Sequence, residues 1–212
     1  MKRLAGAIIA IALIASVGAA QIADEDALFD TATQAVRDRD FRTAVSLFET
    51  LAEADVPDAQ YNLAVLLRAG RGRPQNNVEA LYWSALALLG GGNYAAEMVD
   101  DLLNALPTSA REDVITRLLA RLTAQVEAGK IAAPRQLARV YAELMAEPDA
   151  RMAYIWYSIC YALGENDCAE GRDEMVDEIE SEDLIGVQAE ASETFAALSF
   201  PPVPPPHAVT AP

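Results

Sequence analysis

From Asp24 to Ser199 apolar residues recur at three- and four-residue intervals, and no stretch shows the strict apolar–polar alternation of a strand. That period belongs to helices that each bury one stripe, and it predicts an all-α chain. Pro57, Pro74, Pro107, Pro134 and Pro148 each stand ahead of a fresh stripe. This is expected where proline takes a first helical position and its missing N–H costs nothing. Asp40 precedes another run, and Ser109-x-x-Glu112 has the spacing of a capping box. These marks predict helices over 25–38, 41–54, 57–69, 75–90, 93–105, 108–128, 133–146, 149–163, 167–180 and 182–198. Joined by short corners, they pair into five antiparallel hairpins, about 25–54, 57–90, 93–128, 133–163 and 167–198.

The pattern repeats within the chain. Ala59, Leu63, Ala64, Leu67 and Pro74 return 74 residues later as Ala133, Leu137, Ala138, Tyr141 and Pro148. Ala80, Trp83, Ala87, Gly91 and Ala95 return 73 residues later as Ala153, Trp156, Cys160, Gly164 and Cys168. "EMVDDL" from Glu97 matches "EMVDEI" from Glu174 at a displacement of 77, about one helical turn more. One hairpin cannot bury its own stripe, so repeated hairpins stack and share a core. Small residues such as Ala59, Ala87 and Ala95 let backbones approach, while Leu63, Leu67 and Trp83 fill the space between layers.

The segment Gly70-Arg71-Gly72-Arg73-Pro74 then reads as a corner. Glycine accepts the left-handed conformation on which a helix ends, and Pro74 announces the return helix. The competing reading, a phosphate-holding loop, has no preceding strand and no Gly-Lys-Ser/Thr to support it, and Leu144 and Ala146 replace the glycines in the second copy. Gly90 to Gly92 read as a second helix stop.

The run Ala59-x3-Leu63-Ala64-x2-Leu67-x2-Gly70-x-Gly72-x-Pro74, followed by Glu79-Ala80-x2-Trp83-x3-Ala87-x3-Gly91-x3-Ala95, resembles the Sel1-like repeat, a relative of the tetratricopeptide repeat. The likeness is strongest over 57–92 and weaker over 131–166, where the Gly-x-Gly corner is missing. Hairpin 25–56, with Ala44, Phe48 and Leu51, resembles a plain tetratricopeptide unit. The resemblance implies a right-handed α-solenoid and a role as an adaptor or scaffold that assembles other proteins, in some members within bacterial envelopes. Cys160 and Cys168 stand where Ala87 and Ala95 stand in the first copy, at a close approach of consecutive helices, within reach of a disulfide. Their arrangement is similar to that in the cysteine-rich branch of the family. Free buried thiols are the alternative.

The ends of the chain have other roles. Lys2 and Arg3, the apolar run Leu4 to Ala15 and the small-residue segment "SVGAAQ" describe a secretory signal peptide over 1–20, cleaved after Ala20, with a retained anchor as the alternative. A periplasmic or secreted location follows, in an oxidising compartment that favours disulfides. The tail 200–212 holds six prolines and reads as a disordered tether; His207, the only histidine, lies there, far from any wall that would orient a catalytic base.

Charge narrows the partners. The whole chain carries −16, and removing Lys2 and Arg3 from its 16 basic residues leaves 14 against 32 acidic ones, a formal charge of −18. Such a polyanion repels nucleic acid and anionic lipid, and no stable membrane insertion is expected after cleavage. Glu165 to Glu193 holds twelve carboxylates and one arginine, Arg172. A solvated helix face is the plain reading of this stretch, a cation site or a patch for a basic partner the sharper one.

Chemistry that needs a furnished pocket finds little support. No serine is followed three residues later by lysine, and Lys130 is the mature chain's only lysine. No catalytic residue, metal site or cofactor is expected. A β-lactamase-like or cell-wall-directed hydrolase on the same repeat is the alternative that the resemblance implies. Tyr154, Trp156, Tyr157 and Tyr161 follow helical spacing and read as interlayer core before they read as a ligand wall. Binding remains. The first helix of each hairpin lines the concave face of such repeats, and opposite Ala59, Leu63 and Leu67 it presents Tyr61, Val65 and Arg68, with Arg135 and Arg139 in the equivalent hairpin. These cations predict capture of an acidic segment or a C-terminal carboxylate from a protein or peptide partner. Self-association, the acidic C-terminal end meeting a neighbour's arginines, is a third reading.

Overall fold

The computed structural model describes residues 24–201. The predicted signal segment and nearly all of the tail, His207 included, lie outside them. The described residues form α-helices and no strand, as the periodicity predicts. In order these are α1 over 24–37, α2 Phe41–Glu53, α3 Pro57–Ala69, α4 Asn77–Leu89, α5 Ala96–Ala105, α6 Thr108–Glu127, α7 Ala133–Arg139, α8 Ala150–Ala162, α9 Cys168–Asp177 and α10 Leu184–Ala197. A 3-10 turn, Asn93–Ala95, leads into α5, and a π-helical turn, Val140–Leu144, follows α7. The chain divides into two compact units, one ending at Leu106 and the other beginning at Pro107.

In the first unit α1 meets α2 through the edge-on pair Phe29–Phe48, with ring centroids 5.5 Å apart. The next helices pack in succession, α2 on α3, α3 on α4 and α4 on α5. Asp40 starts α2 by accepting hydrogen bonds from the Thr43 N–H (3.2 Å) and hydroxyl (2.7 Å). The inner face of α3 is Ala59, Gln60, Leu63, Ala64, Leu66 and Leu67, all buried. Gln60 is the polar exception, and its amide donates to the Ala52 carbonyl at 3.1 Å, so its burial is compensated. Every residue of α4 from Ala80 to Leu89 is buried, because helices cover it on more than one side and leave it no polar face. Each large apolar side chain so enclosed contributes about 1.5–3 kcal/mol.

The corner between α3 and α4 explains its glycines. Gly70 ends α3 with φ +66°, and the Arg71 N–H returns to the Leu66 carbonyl at 2.9 Å. Gly72 has φ +80°, and a Cβ there would lie 2.2 Å from the Phe41 carbonyl oxygen. The loop is therefore pressed against the first turn of α2.

In the second unit α6 packs on α7 and on the π turn, and it buries Val114, Leu118, Leu122 and Val126, a single stripe at four-residue spacing. The duplication is visible in burial. Ala133, Pro134, Leu137 and Ala138 of α7 are buried like their counterparts Ala59, Gln60, Leu63 and Ala64, and α8 is enclosed from Ala153 to Tyr157 much as α4 is. Corner closure repeats as well. The Asn76 N–H reaches the Leu67 carbonyl at 3.1 Å, and at the equivalent place the Asp149 N–H reaches the Tyr141 carbonyl at 3.0 Å.

Several expectations are corrected. Lacking glycine at 144 and 146, the second copy turns without a left-handed residue: α7 stops at Arg139, loosens into the π turn and leaves through Met145 in extended geometry. Ser109 and Glu112 form no capping box. Pro107 enters extended (ψ 154°), α6 begins at Thr108, and Ser109 falls inside the first turn. Pro57 and Pro134 occupy early helical positions, whereas Pro74 and Pro148 stop short of Asn76 and Asp149, whose side chains do the capping. The hairpin expected over 93–128 is divided. Leu106, extended because a proline follows, ends α5 in the first unit, and α6 belongs to the second. Finally, α9 and α10 both pack principally on α8 rather than pairing as a hairpin over 167–198.

Candidate functional site

The outer face of α3 carries Asp58, Tyr61, Val65 and Arg68 at spacings of three and four, so they stand one above another. Val65 remains 38% exposed. Tyr61 meets Tyr94 edge-on, centroids 5.0 Å apart, and Tyr94, from the 3-10 turn before α5, is 49% exposed. The Tyr94 hydroxyl donates to the Asp58 carboxylate, which holds the ring in place. Burial of the phenol, the bond to Asp58 and that carboxylate's charge all push the Tyr94 ionisation well above its usual range. At the other end of the strip Arg68 pairs with Asp101 of α5 at 3.0 Å. Tyr61, Val65 and Arg68, expected on this face, are thus brought together. Tyr94, Asp58 and Asp101 join them, and only the fold reveals this. Tyr94 follows the glycine turn and Asp101 sits in α5, so no helical period connects them to α3.

Arg135 and Arg139 lie on α7, in the second unit. Arg139, largely buried, is held at both nitrogens by Glu143, at 2.8 and 2.9 Å. Arg135 is 4.0 Å from Asp167. The three arginines expected to receive an acidic segment therefore each already face a carboxylate of the same chain. An incoming carboxylate must displace or share that partner.

Cys160 and Cys168 form a disulfide, with Cα atoms 6.0 Å apart and both side chains fully buried. Cys168 is the single buried residue of α9, so the bond fastens the start of that helix to α8. Of the aromatic run, Tyr154, Trp156 and Tyr157 are buried, whereas Tyr161 is exposed and carries the Arg172 guanidinium 4.7 Å above its ring. A cavity of about 290 Å³ opens between α8 and α10, lined by Tyr154, Ser158, Arg172, Gln188, Ser192 and Phe195 among others. The Ser158 hydroxyl is buried there without a hydrogen-bond partner, and no lysine, histidine or carboxylate is among the lining residues to activate it.

Three of the seven tyrosines, Tyr94, Tyr141 and Tyr157, have ionisation pushed above the ordinary value of 10, burial being the first cause in each. Folding then favours the protonated phenols. Their contribution to stability is complete below about pH 10 and is lost as pH rises through the higher folded values. A titration of phenolate absorbance is expected to show late-ionising tyrosines in the folded protein that disappear in denaturant, and Tyr94→Phe should reduce their amplitude.

These observations define a helical-hairpin repeat protein whose chemistry is displayed on outer helix faces. More particularly, two segments of the chain match the Sel1 repeat model, residues 57–91 and 135–165, which hold α3 with α4, and most of α7 with α8. Sel1 repeats commonly act as protein-interaction scaffolds. No curated protein matches the chain. Among the described residues no helix is long and apolar enough to cross a membrane.

Proposed function

We propose that the protein is a non-enzymatic interaction scaffold of the bacterial envelope, periplasmic or secreted, which holds a partner protein on the outer face of α3. The observation that carries this reading is the Tyr61–Tyr94 pair beside Val65. An aromatic ring left half exposed, yet fixed by an edge-on neighbour and a carboxylate, presents apolar area at low entropic cost, as anchors of protein interfaces do. The Arg68–Asp101 pair borders that apolar centre with a polar rim. The signal-like N-terminus and the disulfide support the location.

Crosslinking in intact cells, followed by identification of captured proteins, tests the reading. Tyr61→Ala combined with Tyr94→Ala is expected to reduce capture of a specific partner by about tenfold or more while helicity is kept. A partner still captured at full yield would move the interface elsewhere.

A further inference from the structure

The corner between α3 and α4 holds a second feature. The Gly72 contact with Phe41 brings Arg71 and Arg73 to the edge where Arg39 and Arg42 flank the start of α2. Between them is an open concavity of about 460 Å³, lined by Arg39, Asp40, Phe41, Arg42, Gly70, Gly72, Arg73 and Pro74. Such a volume lies within the range of ligand pockets. Two carboxylates lie near this corner. Glu49 binds Arg73 at both nitrogens (2.8 and 2.5 Å), and Asp40 caps α2. Arg71 lies over the Phe41 ring, 5.1 Å from its centroid.

Arg39 and Arg42 have no ion-pair partner among the described residues. Arg68, Arg73, Arg117, Arg135, Arg139, Arg151 and Arg172 each reach a carboxylate, whereas Arg39 and Arg42 form no ion pair and stand exposed at the rim of the concavity.

We propose that this corner is a binding site for an acidic peptide segment, in which Arg39 and Arg42 engage successive carboxylates and Arg73, fixed by Glu49, supplies the wall. A lone phosphate fits less well. The place it would take at the start of α2, against the free N–H groups, is already filled by the Asp40 carboxylate. What remains are separate cations on two segments of the chain, which match carboxylates spaced along a peptide. The site names a partner chemistry for the scaffold reading but uses different residues from the α3 face, so each can fail alone.

The test measures fluorescence anisotropy of a labelled hexaglutamate peptide with the full-length protein. At about 0.15 M salt the Debye length of about 8 Å limits the repulsion from the chain's net charge. Saturable binding is expected, weakened by about tenfold or more in Arg39→Gln/Arg42→Gln, where two charge-assisted bonds are lost. Circular dichroism should be unchanged in that variant, and Tyr61→Ala/Tyr94→Ala should bind the peptide normally. Absence of saturable binding, or equal binding by the double glutamine variant, overturns the proposal. Displacement of the peptide by inorganic phosphate at equal concentration also overturns it, assigning the corner to a free oxyanion.

Discussion

Gly72→Ala is expected to destabilise the first unit by about 3–4 kcal/mol, which combines the left-handed penalty of an L side chain with overpacking against rigid atoms. The atoms in the way are backbone: the new methyl would stand 2.2 Å from the Phe41 carbonyl oxygen and 2.7 Å from its carbon, with a Val45 methyl at 2.9 Å. A flexible side chain could swing aside, but the first turn of α2 cannot move without breaking its packing on α3. Gly91→Ala is the control. It has φ +98° but no atom within 4 Å of the added carbon, so it should cost only the conformational term of about 1–2 kcal/mol. Urea unfolding followed by Trp83 emission, in a Trp156→Phe background, compares the two. Equal losses would mean that the loop does not press on α2 as described. Because the same contact builds the arginine corner, Gly72→Ala should also weaken hexaglutamate binding, whereas Gly91→Ala should not.

Loss of the Cys160–Cys168 bond is expected to cost about 2–3 kcal/mol, the value for closing so short a loop, and to act mostly on one helix. Ten residues of α9 include four carboxylates and bury only Cys168, and a helix of that length has little stability without tertiary contacts. Gly171 lies close over the Tyr157 ring, a fit that depends on α9 staying seated. In Cys160→Ala/Cys168→Ala, hydrogen exchange of the α9 amides should accelerate toward unprotected rates, while α6 and α7 keep their protection. Unchanged protection in α9 would show that packing against α8 is enough to hold it.

The α3 corner and its counterpart show how far the sequence could be read. Gly70 and Gly72 announced a turn because few other residues adopt positive φ cheaply. The second copy, with Leu144 and Ala146 there, gave no such mark and turned through a π segment instead. The capping box failed because Pro107 set the entry of α6 two residues earlier than Ser109 requires. Arg68, Arg135 and Arg139 were expected to face a partner, yet their neighbours Asp101, Asp167 and Glu143 decide what those charges can do, and Arg139 is largely buried. The Asp101 pairing depends on how α5 lies beside α3, which no local spacing encodes.

What the chain alone determined was the helical class, the two related hairpins, the closeness of Cys160 to Cys168 and the outward side of α3. All of these follow from short-range periodicity, since residues three and four apart share a face and duplicated faces pack alike. The tertiary structure decided the rest. It divided 93–128 between two units, seated α9 and α10 on α8, locked Tyr94 against Asp58 and Tyr61, and left Arg39 and Arg42 without an ion pair at the rim of an open corner. Those outcomes turn on which segments meet across tens of residues, where contact geometry, and no longer sequence spacing, sets the balance of charge and burial.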